Sequence, residues 1–172
     1  NTVDYTFILK GGSMRDVVIV DEDALSTDLY LNFDGGSGTS GADPREGWTT
    51  TDTLQVVDAA TIRAQDLEHV FDMEIIDLVS TKNNAQAWTV ELDNHIINQP
   101  TSLSDLIIRI DPTVAAGSSV YVVFSEDDVN LATNNVIVER NANVNVYVVV
   151  RDSMGNEVEH PVTEDQYNRT DI

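Results

Sequence analysis

The chain is a succession of short runs of β-branched and aromatic residues, each closed by polar residues, and this alternation restricts it to a β-rich fold. Residues 3–9 (VDYTFIL), 16–20 (DVVIV), 29–33, 53–57, 73–79 (MEIIDLV), 88–92 (WTVEL), 103–110 and 119–124 (SVYVVF) all have that character. The turns between them are rich in Asp, Asn, Gly and Ser, which punctuate strands. Residues 59–70 carry only a weak helical spacing, so an all-β chain is predicted. Several middle runs are almost continuously apolar, as in strands buried on both faces of a parallel sheet. A coil of a parallel solenoid cannot bury its own apolar face, and stacking coils makes one continuous core.

The end of the chain reads differently. In 143–151 (NVNVYVVVR), Val144, Val146, Val148 and Val150 fall on one face and Asn143, Asn145 and Tyr147 on the other. That is the period-two pattern of a half-buried strand. With 136–139 before it and 157–162 after a turn at 152–156, it predicts an antiparallel meander. The fold expectation is therefore a short parallel β-solenoid-like core, a β-roll or β-helix, over residues 1–125, passing into an antiparallel meander over 126–172. A single domain is the alternative division. A β-sandwich or jelly roll is the alternative architecture, built from antiparallel strands with alternating faces.

One stretch carries a chemistry. Residues 29–54 (LYLNFDGGSGTSGADPREGWTTTDTL) run from a strand into a glycine-rich acidic loop and out into another strand. Gly35, Gly36 and Gly38 permit a tight turn that directs carbonyl oxygens inward. Asp34, Asp43 and Asp52 lie beside them, and hard cations such as calcium take six to eight oxygens from carboxylates and carbonyls. Asp127 and Asp128 form a second acidic loop, so the candidate calcium ligands are Asp34, Asp52, Asp43, Asp127 and Asp128. The acidic turn at 21–23 lacks the glycine that an EF-hand loop needs at its sixth position, and reads as a solvated turn.

Charge excludes whole classes of partner. Nine Lys and Arg against thirty Asp and Glu give a net charge of −21. Nucleic acid is bound by neutralising phosphates, for which there is no basic cluster. Anionic membrane surfaces are disfavoured by the same repulsion, and no run approaches the roughly 18 apolar residues of a membrane-spanning helix. Such a charge costs self-repulsion that salt or divalent cations relieve. There is no cysteine, hence no disulfide, thiolate nucleophile or cysteine metal site. The first residue, Asn1, predicts a processed chain or a segment of a longer one.

Residues 33–124 resemble the C-terminal β-rich region of RTX-type repeat proteins, the type I secreted adhesins and bacterial surface-layer proteins. Gly35, Gly36, Ser37, Gly38 and Thr39 match the first half of that family's glycine-rich calcium loop, and Asp52, Thr53 and Leu54 match its second half. Residues 70–78 (VFDMEIIDL) resemble the segment that follows, and 108–122 the closing strand and turn. An insertion over residues 40–51 interrupts the single copy of the motif. The resemblance implies a secreted, calcium-binding surface protein.

Nothing in the residues points to catalysis. His69, His95 and His160 stand in separate segments without metal spacing, and no serine lies in a GxSxG elbow. The paired carboxylates that glycosidases use can be picked by chance among thirty acids. The expectation is a non-enzymatic extracellular structural or adhesive module that self-assembles on a cell surface or filament with calcium. Its partners are itself, as a homo-oligomer, or neighbouring surface or filament subunits. The alternative is a virion structural protein, a capsid decoration or tail fibre with a sandwich fold. A carbohydrate-binding sandwich using Trp48 or Trp88 is a third reading.

Overall fold

A computed structural model describes residues 8–12, 15–26, 32–36, 52–98, 105–139, 141, 143–161 and 169–171. The first strands are β1 (Ile8–Lys10), β2 (Val17–Asp21), β3 (Asn32–Asp34), β4 (Thr53–Val57) and β5 (Thr61–Ile62). They are followed by β6 (Val70–Phe71), β7 (Ile75–Val79), β8 (Ala87–Glu91), β9 (Leu106–Ile110) and β10 (Ser119–Ser125). The last are β11 (Val136–Glu139), β12 (Asn145–Arg151), β13 (Glu157–Pro161) and β14 (Arg169–Asp171). Among the described residues, three short helices, α1 (Glu22–Ser26), α2 (Asn94–Ile97) and α3 (Val129–Asn135), and two 3₁₀ turns lie between them. The chain is thus mostly β, with a few helices that the periodicity did not announce. They are short, and α2 is locally capped: Asp93 accepts from the Ile96 amide at its start.

Among the described residues the strands form three sheets, and almost every pairing is parallel. The orders are β1-β3-β6, then β14-β11-β9-β7-β4-β2, then β13-β12-β10-β8-β5. Successive passes of the chain lay β3 and β4 beside β1 and β2 while β5 opens the five-stranded sheet, then add β6, β7 and β8, then β9 and β10, then β11 and β12. Registers are continuous: Val18, Leu54, Ile76, Ile108 and Val138 form one row across five strands, and Val20, Val56, Leu78 and Ile110 a second. These side chains belong to one core, together with Trp88, Val90, Val120, Val122, Val146 and Val148 from the third sheet. Rows of like residues follow from parallel in-register pairing, because each strand presents its inward positions at the same height.

Two expectations are corrected here. The sandwich alternative required antiparallel pairing between strands, whereas the pairs among β1 to β12 are parallel. The C-terminal meander is also rearranged. β11 lies in the six-stranded sheet, parallel to β9, while β12 lies in the five-stranded sheet, parallel to β10. Only β12 and β13 make the expected hairpin, through a turn in which Asp152 Oδ1 accepts from the Met154 and Asn156 amides. Alternation along 143–151 reports that one face is buried, and β12 does bury Val146 and Val148. It carries no information about which strand lies alongside. Both larger sheets pair strands from either side of Ser125.

Candidate functional site

The glycine-rich stretch sits where the three-stranded sheet hands over to the six-stranded one. β1 runs into Gly11, β3 into Gly35 and β6 into Asp72, and these backbones are in close contact: the Gly11 amide donates to Asp34 O at 2.7 Å and the Gly35 amide to Phe71 O at 2.9 Å. Glycine is required at Gly35 by proximity. A Cβ there would lie 2.3 Å from Asp72 O and 2.5 Å from Asp52 Oδ2. Gly36 is required by conformation, with φ of +87°. Gly38 lies outside the described residues.

Across this corner the chain re-enters the six-stranded sheet through acids. Val17, Thr53 and Ile75 are in register, so the preceding residues Asp16, Asp52 and Glu74 form a row of three carboxylates on adjacent passes. Each carboxylate takes a backbone amide. The Gly12 amide donates to Asp16 Oδ2 at 2.8 Å, the Asp16 amide to Asp52 Oδ1 at 2.8 Å, and the Asp52 amide to Glu74 Oε2 at 2.6 Å. Side chain thus binds backbone from one pass to the next, and the row stitches the first three passes together. Charge-assisted bonds of this kind are about twice as strong as neutral ones.

The row is also electrostatically loaded. Asp52 is 1% exposed, and its Oδ2 has no hydrogen-bond partner. Burial pushes its carboxyl up to about 7; the Asp16 amide opposes the rise, and the charges of Glu74, Asp16 and Asp72 add to it. Asp72, held at φ of +53°, is raised by burial and then by its contact with Asp34. A carboxyl so placed is satisfied by a proton or by a cation, either of which removes the like-charge repulsion. The donors are all hard oxygens, the set that calcium or magnesium takes. Among the described residues, no group of three or more histidines and acids is placed to hold a metal ion.

Of the residues predicted from sequence, Asp34 and Asp52 meet at this corner. Asp43 lies outside the described residues. Asp127 and Asp128 stand apart, in the 3₁₀ turn after β10, where Asp128 accepts from Ser125 Oγ at 2.8 Å. Asp16, Asp72 and Glu74 are further members, outside the set predicted from sequence. Their signal is an internal repeat: a glycine pair followed by an acid and an apolar run occurs at 11–20 and again at 35–57, and FDMEII at 71–76 is a shortened version. Trp88 is 1% exposed within the core, so it offers no face to a sugar, and Trp48 lies outside the described residues. His69 and His95 belong to local contacts, with Glu68 and Phe71 respectively.

A further buried acid, Asp77, lies on the outward side of the six-stranded sheet. Gln55, Asp77, Arg109 and Glu139 occupy one register row. Gln55 Nε2 donates to Asp77 Oδ2 at 3.1 Å, and Arg109 Nε to Glu139 Oε2 at 3.0 Å. Asp77 is 6% exposed, and burial raises its carboxyl against the lowering effects of Gln55 and Arg109.

Comparison with protein-family models, with curated proteins and with solved structures found no match to this chain.

Proposed function

We propose that this chain is a short parallel β-solenoid that works as a non-enzymatic, extracellular structural or adhesive module, assembling with copies of itself on a cell surface or filament with the help of calcium. The observation that carries this reading is the row Asp16, Asp52 and Glu74, in which consecutive passes of the chain align their acids as well as their apolar residues. Stacked passes of this kind build a rigid, quasi-one-dimensional body whose purpose is extension and contact. The buried and unpartnered Oδ2 of Asp52 supports a cation at the corner, whose charge would relieve the burial and like-charge repulsion that raise this carboxyl. The −21 charge supports a second use for divalent cations, which lower the repulsion between neighbouring copies.

The test is thermal melting and particle sizing in calcium and in chelator. Calcium binding to the folded state raises the melting temperature in proportion to the logarithm of its concentration. Asp52→Asn weakens that response, and sodium chloride at equal ionic strength serves as the control. Melting curves that coincide in calcium and chelator remove the cation from the proposal. A protein found on purified virus particles and missing from the cell surface would replace the cell-surface role by a virion one.

A further inference from the structure

The two ends of the stack are finished differently. At the far end each of the larger sheets closes on an antiparallel strand, β13 against β12 and β14 against β11. Stacks of repeats need such atypical terminal strands, because an ordinary pass left outermost exposes its core side and its edge. At the near end the stack begins on an ordinary pass, β1 and β2, which lie parallel to β3 and β4 and, among the described residues, have no strand on their outer side. Its inward positions show what is missing. Leu9 stands in one row with Phe33 and Val70, and is 50% exposed where they are 2% and 3%. Val18, in the row of Leu54 and Ile76, is only partly buried. A depression of about 390 Å³ lined by Leu9, Val18 and Phe33 reaches the core between them.

Three hydrogen bonds recur wherever one early pass receives the pass before it. The corner glycine amide donates to the carbonyl just ahead of the next corner, Gly11 to Asp34 O and Gly35 to Phe71 O. The amide of the acid donates to the next acid's carboxylate, Asp16 to Asp52 and Asp52 to Glu74. The residue after each later acid donates back to the earlier acid's carbonyl, Thr53 to Asp16 O and Ile75 to Asp52 O. On the first pass the matching groups are Lys10 O, Asp16 Oδ1 and the Val17 amide. Asp16 holds the Gly12 amide with its other oxygen, Oδ2, which leaves Oδ1 for this use.

We infer that this end takes up one further parallel pass, carried by another polypeptide chain and built on the same pattern of apolar strand, corner glycine, free amide and apolar strand. The inference rests on the stacked-pass reading above and defines a partner for it by chemistry. Main-chain hydrogen bonds supply the docking, and pockets for alternate side chains supply selectivity. The incoming corner must be glycine. A Cβ at Gly11 would lie 2.3 Å from Gly35 O, and a Cβ at Gly35 2.3 Å from Asp72 O, so each pass presses its corner on the carbonyl of the next. An incoming pass meets Gly11 O in the same way. At the position of the acid it must offer an amide to Asp16 Oδ1, which proline cannot do. Its inward apolar side chains fill the depression beside Leu9 and Val18.

The experiment uses the whole chain and, as probe, a labelled synthetic peptide copying its own residues 7–21 (FILKGGSMRDVVIVD), which carries the pattern. Binding followed by fluorescence anisotropy is expected to saturate. Gly11→Val or Asp16→Pro in the peptide is expected to weaken it about tenfold or more, and neither change can unfold the protein. Leu9→Lys in the protein, at a half-exposed position, is expected to weaken it as much with the melting temperature retained. A benzophenone in place of the peptide's own Leu9, used with isotope-labelled protein, is expected to cross-link to residues 8–11. Cross-links on β13 or β14, equal binding of the parent and Gly11→Val peptides, or no binding at all each overturn the inference. Self-assembly is read separately by sizing. A protein that stays monomeric yet captures the peptide at β1 and β2 keeps the inference and removes self-assembly, whereas oligomers without peptide capture do the reverse.

Discussion

Gly35 shows how a single hydrogen atom holds the corner open. An added methyl group meets a carbonyl and a carboxylate below 3 Å, one of them backbone that cannot step aside. Gly35→Ala is therefore expected to cost about 1–3 kcal/mol in denaturant unfolding, as overpacking does. Gly12 is the internal control. Nothing lies within 4 Å of its added Cβ, and Gly12→Ala should stay within about 0.5 kcal/mol of wild type. Equal effects at the two positions would contradict the close approach. Asp77 makes a pH-dependent prediction. Its carboxyl is raised by burial, so the folded state holds the proton more tightly than the unfolded chain, whose Asp titrates near 3.9. Stability contributed by protonated Asp77 is complete below that value and is lost as pH rises through the raised one. Asp77→Asn keeps an acceptor for Gln55 and cannot ionise. The wild-type advantage over this variant should shrink as pH rises from about 4, and parallel stability curves would refute the raised carboxyl.

At the level of the element, the parallel strands owe their stability to rows of the core more than to intrinsic preference. Leu78 sits between Val56 and Ile110 in register and is fully buried. Leu78→Ala removes three carbons from the middle of that row and is expected to cost about 2–5 kcal/mol, read from denaturant midpoints. A cost below about 1 kcal/mol would mean that the row is not packed as described. The ion pairs that join strands have a smaller part. Arg151 reaches Glu91 and Glu157, binding β8, β12 and β13, yet its side chain is 40% exposed and solvent screens much of the attraction.

At the scale of the whole molecule, stacking makes each pass depend on its neighbours. β9 and β10 are covered on one side by β7 and β8 and on the other by β11 and β12. Ending the chain at Ser125 would strip the second cover and leave two long apolar edges, so the truncated protein is expected to aggregate or to lose its cooperative melt. Retention of a sharp transition with near-native circular dichroism would instead divide the chain into independent units at 125/126. The intact chain should unfold in one transition by both far- and near-ultraviolet circular dichroism.

The amino-acid sequence alone determined the β content, because branched residues and polar turns act locally. It marked the glycine-rich corner for a tight turn, and it announced the inward valines of β12. Asp34 and Asp52 stood out for the same local reason: both flank the glycine-rich loop. The structure decided which strands run side by side. Burial patterns report an environment along one strand, whereas pairing joins residues tens of positions apart, as Val18 with Leu54 and Ile76 with Ile108. For this reason β11 and β12, adjacent in the chain and both patterned for a meander, separate into different sheets. The same lateral stacking brought Asp16 and Glu74 alongside Asp52 and buried Asp77 in a row with Arg109. A carboxyl's charge state depends on neighbours about 4.8 Å away on other strands, and those neighbours exist only once the passes have stacked.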